Sequence, residues 1–334
     1  MNAKNETKRT IAVPGIGVKI PVLGFGCSSL TGTGRKNADR LLGTAFDAGV
    51  RHFDVARYYG YGEAERILGS FLKTRRAEVT ITTKFGIDPP HKAGALRIAL
   101  RAGRQIVRLL PAARKVAQRR AQSFVKSGKF SAADARASLE TSLRELGTDY
   151  IDFFLLHDYA ADEPVSQETV AFLEDAVRAG KIRYFGLGTS IDSIVRTLAA
   201  QGGLCRVIQF ENSVLLRNAE KLPPHPGVQL VITHGALGAS FRSIGAFLKS
   251  QPDAAKKWST ELGVDCANDD SLSALMLNFA VAANPGGLVL FSSRDAVRVA
   301  GNITAVLRPE LAPEHVSLFG QLVAGISNQL ARVS

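Results

Sequence analysis

Eight short β-rich runs, each followed by a helical pattern, constrain this chain more than any other feature of its sequence. The runs fall at residues 22–26, 52–55, 79–85, 151–157, 184–189, 206–210, 230–234 and 288–292. Stretches between them, such as AERILGSFL, ADARASLETSLREL, ETVAFLEDAVRAG and LSALMLNFAVAA, repeat apolar residues at three- and four-residue steps, the period of an amphipathic helix. IDFFLL, apart from Asp152, and GLVLF are continuously apolar, as parallel strands buried on both faces tend to be. Gly180, just past the helical pattern at 171–179, stands where a C-capping glycine belongs. This alternation predicts an α/β protein of the (β/α)8 TIM-barrel type. A doubly wound sheet is the alternative with the same alternation. TIAVPGIGVKIPVLGFG, with a turn at Pro14-Gly15-Ile16-Gly17, predicts an N-terminal β-hairpin that caps the barrel floor. The 334 residues carry no linker and no solenoid-length repeat, so one barrel domain over 1–334 is expected.

The alternation is interrupted once. More than forty residues separate the third barrel strand from the next helical pattern, far beyond an ordinary strand–helix loop. This insertion, about 87–130, holds nearly all of the chain's excess charge: residues 89–133 carry eleven Lys or Arg and no acid, against a net charge of +12 for the whole. GALRIALRAGRQIVRLL sets Arg97, Arg101, Arg104 and Arg108 on one helical face, until Pro111 breaks it. A basic amphipathic helix is predicted. Three roles stand open for it: a lid beside the strand ends, a surface for an anionic membrane or acidic partner, or a solvated helix on the barrel side. The remainder of the chain is close to neutral, so nucleic-acid binding is not expected. No run approaches the roughly 20 apolar residues of a membrane span. The polar start MNAKNETKRT lacks a signal-peptide core. Cys27, Cys205 and Cys266 form neither a metal-ligand spacing nor a disulfide framework. A cytoplasmic protein without a metal is the expectation.

In a barrel of this type the chemistry sits where strands end. The second strand ends at Asp54, with Tyr58 and Tyr59 in the following loop. The third ends in TTKF, placing Lys84 at the rim, and the fourth in LLHD, placing His157 there. Taken singly, each has an ordinary structural explanation: a capping Asp, a solvated Lys, a hydrogen-bonded His, a packing Tyr. Together they make a proton-transfer set. A phenol ionises near pH 10; a neighbouring cation favours its phenolate, and a carboxylate holds that cation in place. Imidazole donates a hydrogen bond to a carbonyl oxygen or relays a proton. Such a set suits reduction of a carbonyl, with hydride to carbon and a proton to oxygen.

GVRHFDVARYYGYGEAERILG resembles the signature of the aldo-keto reductase superfamily, with Asp54-x-Ala56-x-x-Tyr59-Gly60-x-x-Glu63 at that family's spacing. The segments ending at Lys84 and His157, and Gly180-Lys181-Ile182-Arg183-x-x-Gly186, resemble three further family stretches. The matches keep the family order from about 22 to 302. The resemblance implies Tyr59 as general acid in reduction and base in oxidation. Lys84 would lower the Tyr59 pKa, Asp54 would pair with Lys84, His157 would orient the carbonyl, and Tyr58 would be a pocket wall. It also implies NADP(H), laid extended across the barrel mouth without a Rossmann domain, with use of NAD(H) open.

On the same resemblance the cofactor contacts are Gly26, Cys27 and Ser28 of LGFGCSS, Asp54, Gly188, Thr189, Gln209, His234, Gly235, Leu237, Ser293, Arg298 and Asn302. Gln209 would hold the nicotinamide amide, and Arg298 and Asn302 would meet the 2′-phosphate and adenine. Cys27 also reads as a small packing residue. Three departures stand out: Gly188-Thr189 where the family usually has Ser-Asn, His234 where a Tyr stacks under the nicotinamide, and Ser292 where many members have Lys. The implied activity is reduction of an aldehyde or ketone, or the reverse, on a small-molecule carbonyl substrate. A non-catalytic NADP(H)-binding regulatory barrel, using the basic helix as its partner surface, is the alternative. Glycoside hydrolysis would need two facing carboxylates, and only Asp54 and Glu211 are available. Trp258 reads as a substrate wall, a cofactor belt or simple packing.

Overall fold

The computed structural model describes residues 9–89 and 128–330. Eight parallel strands close into a barrel: β3 (Leu23–Gly26), β4 (His52–Asp54), β5 (Thr80–Phe85), β6 (Ile151–His157), β7 (Ile182–Gly188), β8 (Val207–Glu211), β9 (Leu230–His234) and β10 (Leu288–Phe291). β10 pairs with β3 to complete the ring, Val289 opposite Leu23. A two-residue antiparallel pair, β1 (Thr10–Ile11) and β2 (Ile20–Pro21), precedes it. Ile11, Val13 and Ile20 are buried with Phe153, Val207, Leu230 and Leu288, so the predicted hairpin does close the barrel floor. The Tyr184 hydroxyl donates to the Pro14 carbonyl and ties the two together.

Helices follow the strands: α1 (Arg35–Asp47), α2 (Glu63–Leu72), α3 (Ala132–Leu146), α4 (Gln167–Arg178), α5 (Ile191–Gln201), α6 (Gly238–Ser250), α7 (Pro252–Leu262), α8 (Asp269–Ala282), α9 (Ala296–Leu307) and α10 (Pro313–Gly325). Several start where a side chain satisfies orphan N–H groups: Ser131, Ser166, Ser190, Asn268 and Asp295 each cap the helix they precede. The strand bounds differ from the sequence reading by two residues or fewer. β7 starts at Ile182 rather than 184 because exposed Arg183 hides its first residues from a hydrophobicity pattern. Gly186 of β7 allows a close strand approach, since a Cβ there would run into the Val207 carbonyl oxygen of β8.

The two-residue period of the strands builds the barrel interior in layers. Leu230, Leu288 and Phe153 fill the floor. Above them His52 is wholly buried between the hydroxyls of Thr80 and Thr82, at 2.9 Å from Nδ1 and 3.2 Å from Nε2. The Thr80 hydroxyl donates to the Arg51 carbonyl. It therefore accepts from Nδ1–H, leaving Nε2 to accept from Thr82. One step further along each inward face stand Asp54, Lys84, His157, Gly188, Gln209 and His234.

The stem of the insertion is held together, Lys129 Nζ lying 2.6 Å from Asp88 and the Lys129 amide bonding the Gly86 carbonyl. The basic helix expected within it lies outside the described residues. Trp258 is core: it sits on α7, 4% exposed, against Phe247 and Phe319. No described helix is long and apolar enough to cross a membrane.

Candidate active site

The inward parity of β4 and β5 brings Asp54 and Lys84 face to face. Lys84 Nζ is 2.6 Å from Asp54 Oδ2, with both side chains 3–4% exposed. The ammonium also donates to the Val55 carbonyl at 3.2 Å. Gln209, across the barrel on β8, donates from Nε2 to the same Asp54 oxygen at 3.0 Å. Tyr59 arrives from the loop after β4. A Cβ at Gly60, where φ is +60°, would overlap the Thr31 side chain, so only glycine lets the loop turn this closely behind the tyrosine. Lys84 Nζ lies 5.4 Å from the centre of the Tyr59 ring, and the Tyr59 and His157 rings meet edge to face at 6.0 Å. All four predicted catalytic side chains are thus together. Asp54 is held by Lys84 and Gln209, which commits its Oδ2 to two donors and leaves it poorly suited to the nucleophile or base role that glycoside hydrolysis needs.

Protein packed around the Tyr59 phenol pushes its pKa well above the usual 10, and the charges of Asp54, Asp158 and Cys27 push the same way. The expected acidifying effect of Lys84 does not prevail here, because its charge is engaged with Asp54 at contact distance. Burial, then Lys84 and His234, pull the His157 pKa down to about 3, so its imidazole is neutral at pH 7.

Beside this group opens a cleft of about 290 Å³, lined by Gly26, Ser28, Asp54, Tyr59, Gln209, His234, Gly235, Leu237, Gly238, Phe291 and Ser292, among others. Most of the expected cofactor contacts on the first, sixth and seventh barrel strands therefore share one wall; Tyr58 is not part of it. One end of the Gln209 carboxamide bonds Asp54. The other, Oε1, is buried without a hydrogen-bond partner among the described residues, an orphan that a ligand amide would satisfy. Leu237 and Gly238 at the start of α6 also line the cleft. That helix has no side-chain cap and no acid in its first turn, so its first N–H groups are open to an anion. These features fit a dinucleotide with a carboxamide at one end and phosphates further out.

Other expected contacts lie differently. Cys27 is wholly buried in the core, its thiol directed to the Phe25 carbonyl, which leaves its side chain out of the cleft wall. Gly188 backs the cleft, with Gln209 Oε1 and Lys84 Cε each 3.4 Å from where its Cβ would be. The Thr189 hydroxyl is committed to the Tyr159 carbonyl at 2.8 Å. Ser293, Arg298 and Asn302 lie beyond the cleft, at the start and along the body of α9. Ser293 accepts from the Asp295 amide at 3.1 Å, and the Asp295 carboxylate caps Val297 and Arg298. Sequence reasoning missed the Gln209–Asp54 bond and Asp158, the residue directly after His157; its place in LLHD was the available signal.

Known proteins resemble this chain along most of its length. It is 27% identical over 187 residues to the aldo-keto reductase yakc [NADP(+)] of Schizosaccharomyces pombe, covering 54% of this chain and 46% of that protein. It is 29% identical over 256 residues to a pyridoxal 4-dehydrogenase of Microbacterium luteolum, covering 70% and 71%. The holo form of an aldo-keto reductase from Bacillus halodurans has the same fold, with a TM-score of 0.70 at 23% identity over 94% of this chain and 96% of that one. The model of the Aldo/keto reductase family matches residues 22–324, and with the barrel and the converging strand ends this places the chain in the aldo/keto reductase family.

Proposed function

We propose that the protein catalyses NADP(H)-dependent interconversion of a small aldehyde or ketone with its alcohol, Tyr59 supplying the proton in reduction. The observation that carries this reading is the buried Lys84–Asp54 pair beneath Tyr59 and His157, facing the open end of the Gln209 amide. The dinucleotide, when bound, supplies or accepts the hydride. NADP(H) is favoured by the name of the fission-yeast relative and by Arg298 on α9, since a guanidinium pairs well with a phosphate. Gln209 Oε1 would accept from the nicotinamide carboxamide, and the open start of α6 with Gly235 would receive the pyrophosphate. Arg298 and Asn302 would serve the adenosine end.

A carbonyl oxygen set between Tyr59 and His157 receives two hydrogen bonds. Neutral His157 donates one and fixes the carbonyl's direction. The Tyr59 hydroxyl donates the other and stays protonated at neutral pH, because its pKa is raised. An alkoxide forming on the substrate is far more basic than a phenolate, so the proton moves downhill from Tyr59. The phenolate left behind lies beside the Lys84 ammonium, which stabilises it. The buried, unpaired Cys27, Cys205 and Cys266 fit a reducing, cytoplasmic setting.

NADPH oxidation by the purified protein against a panel of aldehydes tests this reading. Tyr59→Phe should lower kcat by roughly 10²–10⁴-fold, the usual contribution of a positioned general acid, with NADPH binding retained in a fluorescence titration. A variant that keeps turnover within about threefold of wild type refutes the role of Tyr59.

A further inference from the structure

Gln209 is engaged at one end and open at the other. It stands on β8 with 3% exposure, and its Nε2 donates to Asp54 Oδ2 at 3.0 Å. The same oxygen takes the Lys84 ammonium at 2.6 Å. A carboxylate paired in this way only accepts, so the amide end facing Asp54 is the NH2 group and the end facing away is Oε1. Oε1 is buried and has no hydrogen-bond partner among the described residues. The neighbouring end of β7 offers it none: position 188 is glycine, and the Thr189 hydroxyl is committed to the Tyr159 carbonyl at 2.8 Å. The group that completes Oε1 is therefore an N–H or O–H of a molecule in the cleft that Gln209 lines.

One amide thus joins the cleft to the ion pair. A donor at Oε1 draws electron density through the planar amide and makes Nε2–H the stronger donor. Two donors share Asp54 Oδ2, so a firmer bond from Gln209 takes more of its charge and loosens its hold on Lys84. Lys84 Nζ lies 5.4 Å from the centre of the Tyr59 ring and keeps the Val55 carbonyl at 3.2 Å as a second anchor. Gly188 leaves room for the exchange, since a Cβ there would lie 3.4 Å from both Gln209 Oε1 and Lys84 Cε. The titratable groups that face Tyr59 among the described residues are Cys27, Asp54, Lys84, His157, Asp158 and, across the cleft, His234. Gln209 reaches this set through Asp54.

We propose that Gln209 is a positioning residue that couples occupancy of the cleft to the proton-transfer group: a hydrogen-bond donor of the bound cofactor at Oε1 strengthens the Gln209 bond to Asp54, and Asp54 in turn yields Lys84 to the Tyr59 phenolate. This rests on the carbonyl-reductase reading and deepens it. Tyr59 is the weaker acid while the cleft is empty and gains acidity when the cofactor's amide is seated. By reciprocity, an ionised Tyr59 raises the affinity for that amide donor by the same factor.

The test compares NADP+ with its 3-acetylpyridine analogue. The two carry the same charges, but the acetyl group has no N–H to give Oε1. Charges common to both complexes cancel in the comparison, those of the basic insertion included. Wild type should bind the analogue about three- to tenfold more weakly at pH 7, the worth of one hydrogen bond, and this affinity ratio should widen between pH 7 and pH 10 as Tyr59 ionises. In alcohol oxidation, where ionised Tyr59 is the base, the pH profile of kcat should lie at higher pH with the analogue. Gln209→Met removes both hydrogen bonds and should erase all three differences, which a merely structural role for Gln209 would not do. The wild-type comparison stands without that variant should it fail to fold. An affinity ratio independent of pH overturns the coupling, and turnover in that case leaves the reductase reading in place. Differences that persist in Gln209→Met overturn the coupling as well. Binding of both dinucleotides with no turnover of any substrate sinks the reductase reading, and the pH dependence of the ratio then decides the coupling by itself. Neither binding nor turnover overturns both.

Discussion

The Lys84–Asp54 pair offers the sharpest test of how the site is held together. The two charges are 2.6 Å apart and almost wholly removed from water. At an effective dielectric of about 20, that separation corresponds to about 6 kcal/mol of attraction, most of it offset by the cost of desolvating both ions. Removing one partner exposes that cost. In Lys84→Met the Asp54 carboxylate stays buried with only the Gln209 amide as donor, and the expected loss is about 3–5 kcal/mol. Asp54→Asn leaves the ammonium with the Val55 carbonyl and should lose a similar amount. The double variant buries no unpaired charge. It should therefore be more stable than the sum of the two losses by at least about 2 kcal/mol, within the range of coupling seen for residues in contact. Urea unfolding at pH 7 with linear extrapolation measures this, the midpoint moving while the slope holds. Losses that add to within about 0.5 kcal/mol would refute the argument. None of the three variants should regain turnover, because the cation beside the Tyr59 ring is absent or released from its position in each. Stability recovered without activity would separate the structural role of the pair from its chemical one.

Two further outcomes follow from groups away from that pair. Asp295 caps α9 through Val297 and Arg298, so a 2′-phosphate bound at Arg298 would face a carboxylate and a helix start already satisfied. Asp295→Asn, which keeps a capping oxygen, should raise affinity for NADPH relative to NADH by about fivefold, a helix-terminus effect of roughly 1 kcal/mol; an unchanged ratio of the two fluorescence titrations refutes it. His52, buried as a neutral ring, has its pKa lowered from 6.5 to about 3, first by burial and then by Lys84. The unfolded chain therefore takes up this proton first, so the stability His52 contributes is present above pH 6.5 and lost as pH falls from there toward 3, by about 1.4 kcal/mol per pH unit. His52→Gln should flatten the pH dependence of unfolding by one proton across that window, and curves that stay parallel to wild type would count against the assignment.

Much of this molecule is legible before any coordinates are considered. Eight parallel strands covered on both faces must be short apolar runs, and the spacing of those runs locates the barrel to within two residues per strand. The strict parity of a strand also carries the site: once β4, β5 and β6 are placed, Asp54, Lys84 and His157 must face inward at one level. What parity does not carry begins where the strands end. The orientation of Asp158 depends on a left-handed turn held by hydrogen bonds from Thr189, Ser193 and Arg196, more than thirty positions away in sequence. The Gln209–Asp54 bond spans 155 positions and needs the closed ring. Cys27, grouped with the cofactor contacts by its neighbours, follows β3 into a short helical turn that directs its thiol into the core.

On the proposed reading, the perturbed groups of the site favour one of two proton donors. With its pKa pulled down to about 3, the His157 imidazole is neutral at pH 7 and would act as a hydrogen-bond donor rather than an acid. Tyr59 is the reverse case: its raised pKa keeps the phenol protonated through the physiological range. Two neighbouring groups are thus driven in opposite directions by the same burial, because burial disfavours whichever form is charged, the imidazolium in one and the phenolate in the other. On the proposed reading this leaves one route for the proton in reduction, from Tyr59. It also makes the reverse reaction the more demanding one, since a base must then exist where burial opposes the phenolate. Among the described residues Lys84, at 5.4 Å from the ring, is positioned to offset that cost, to the extent that Asp54 releases its charge.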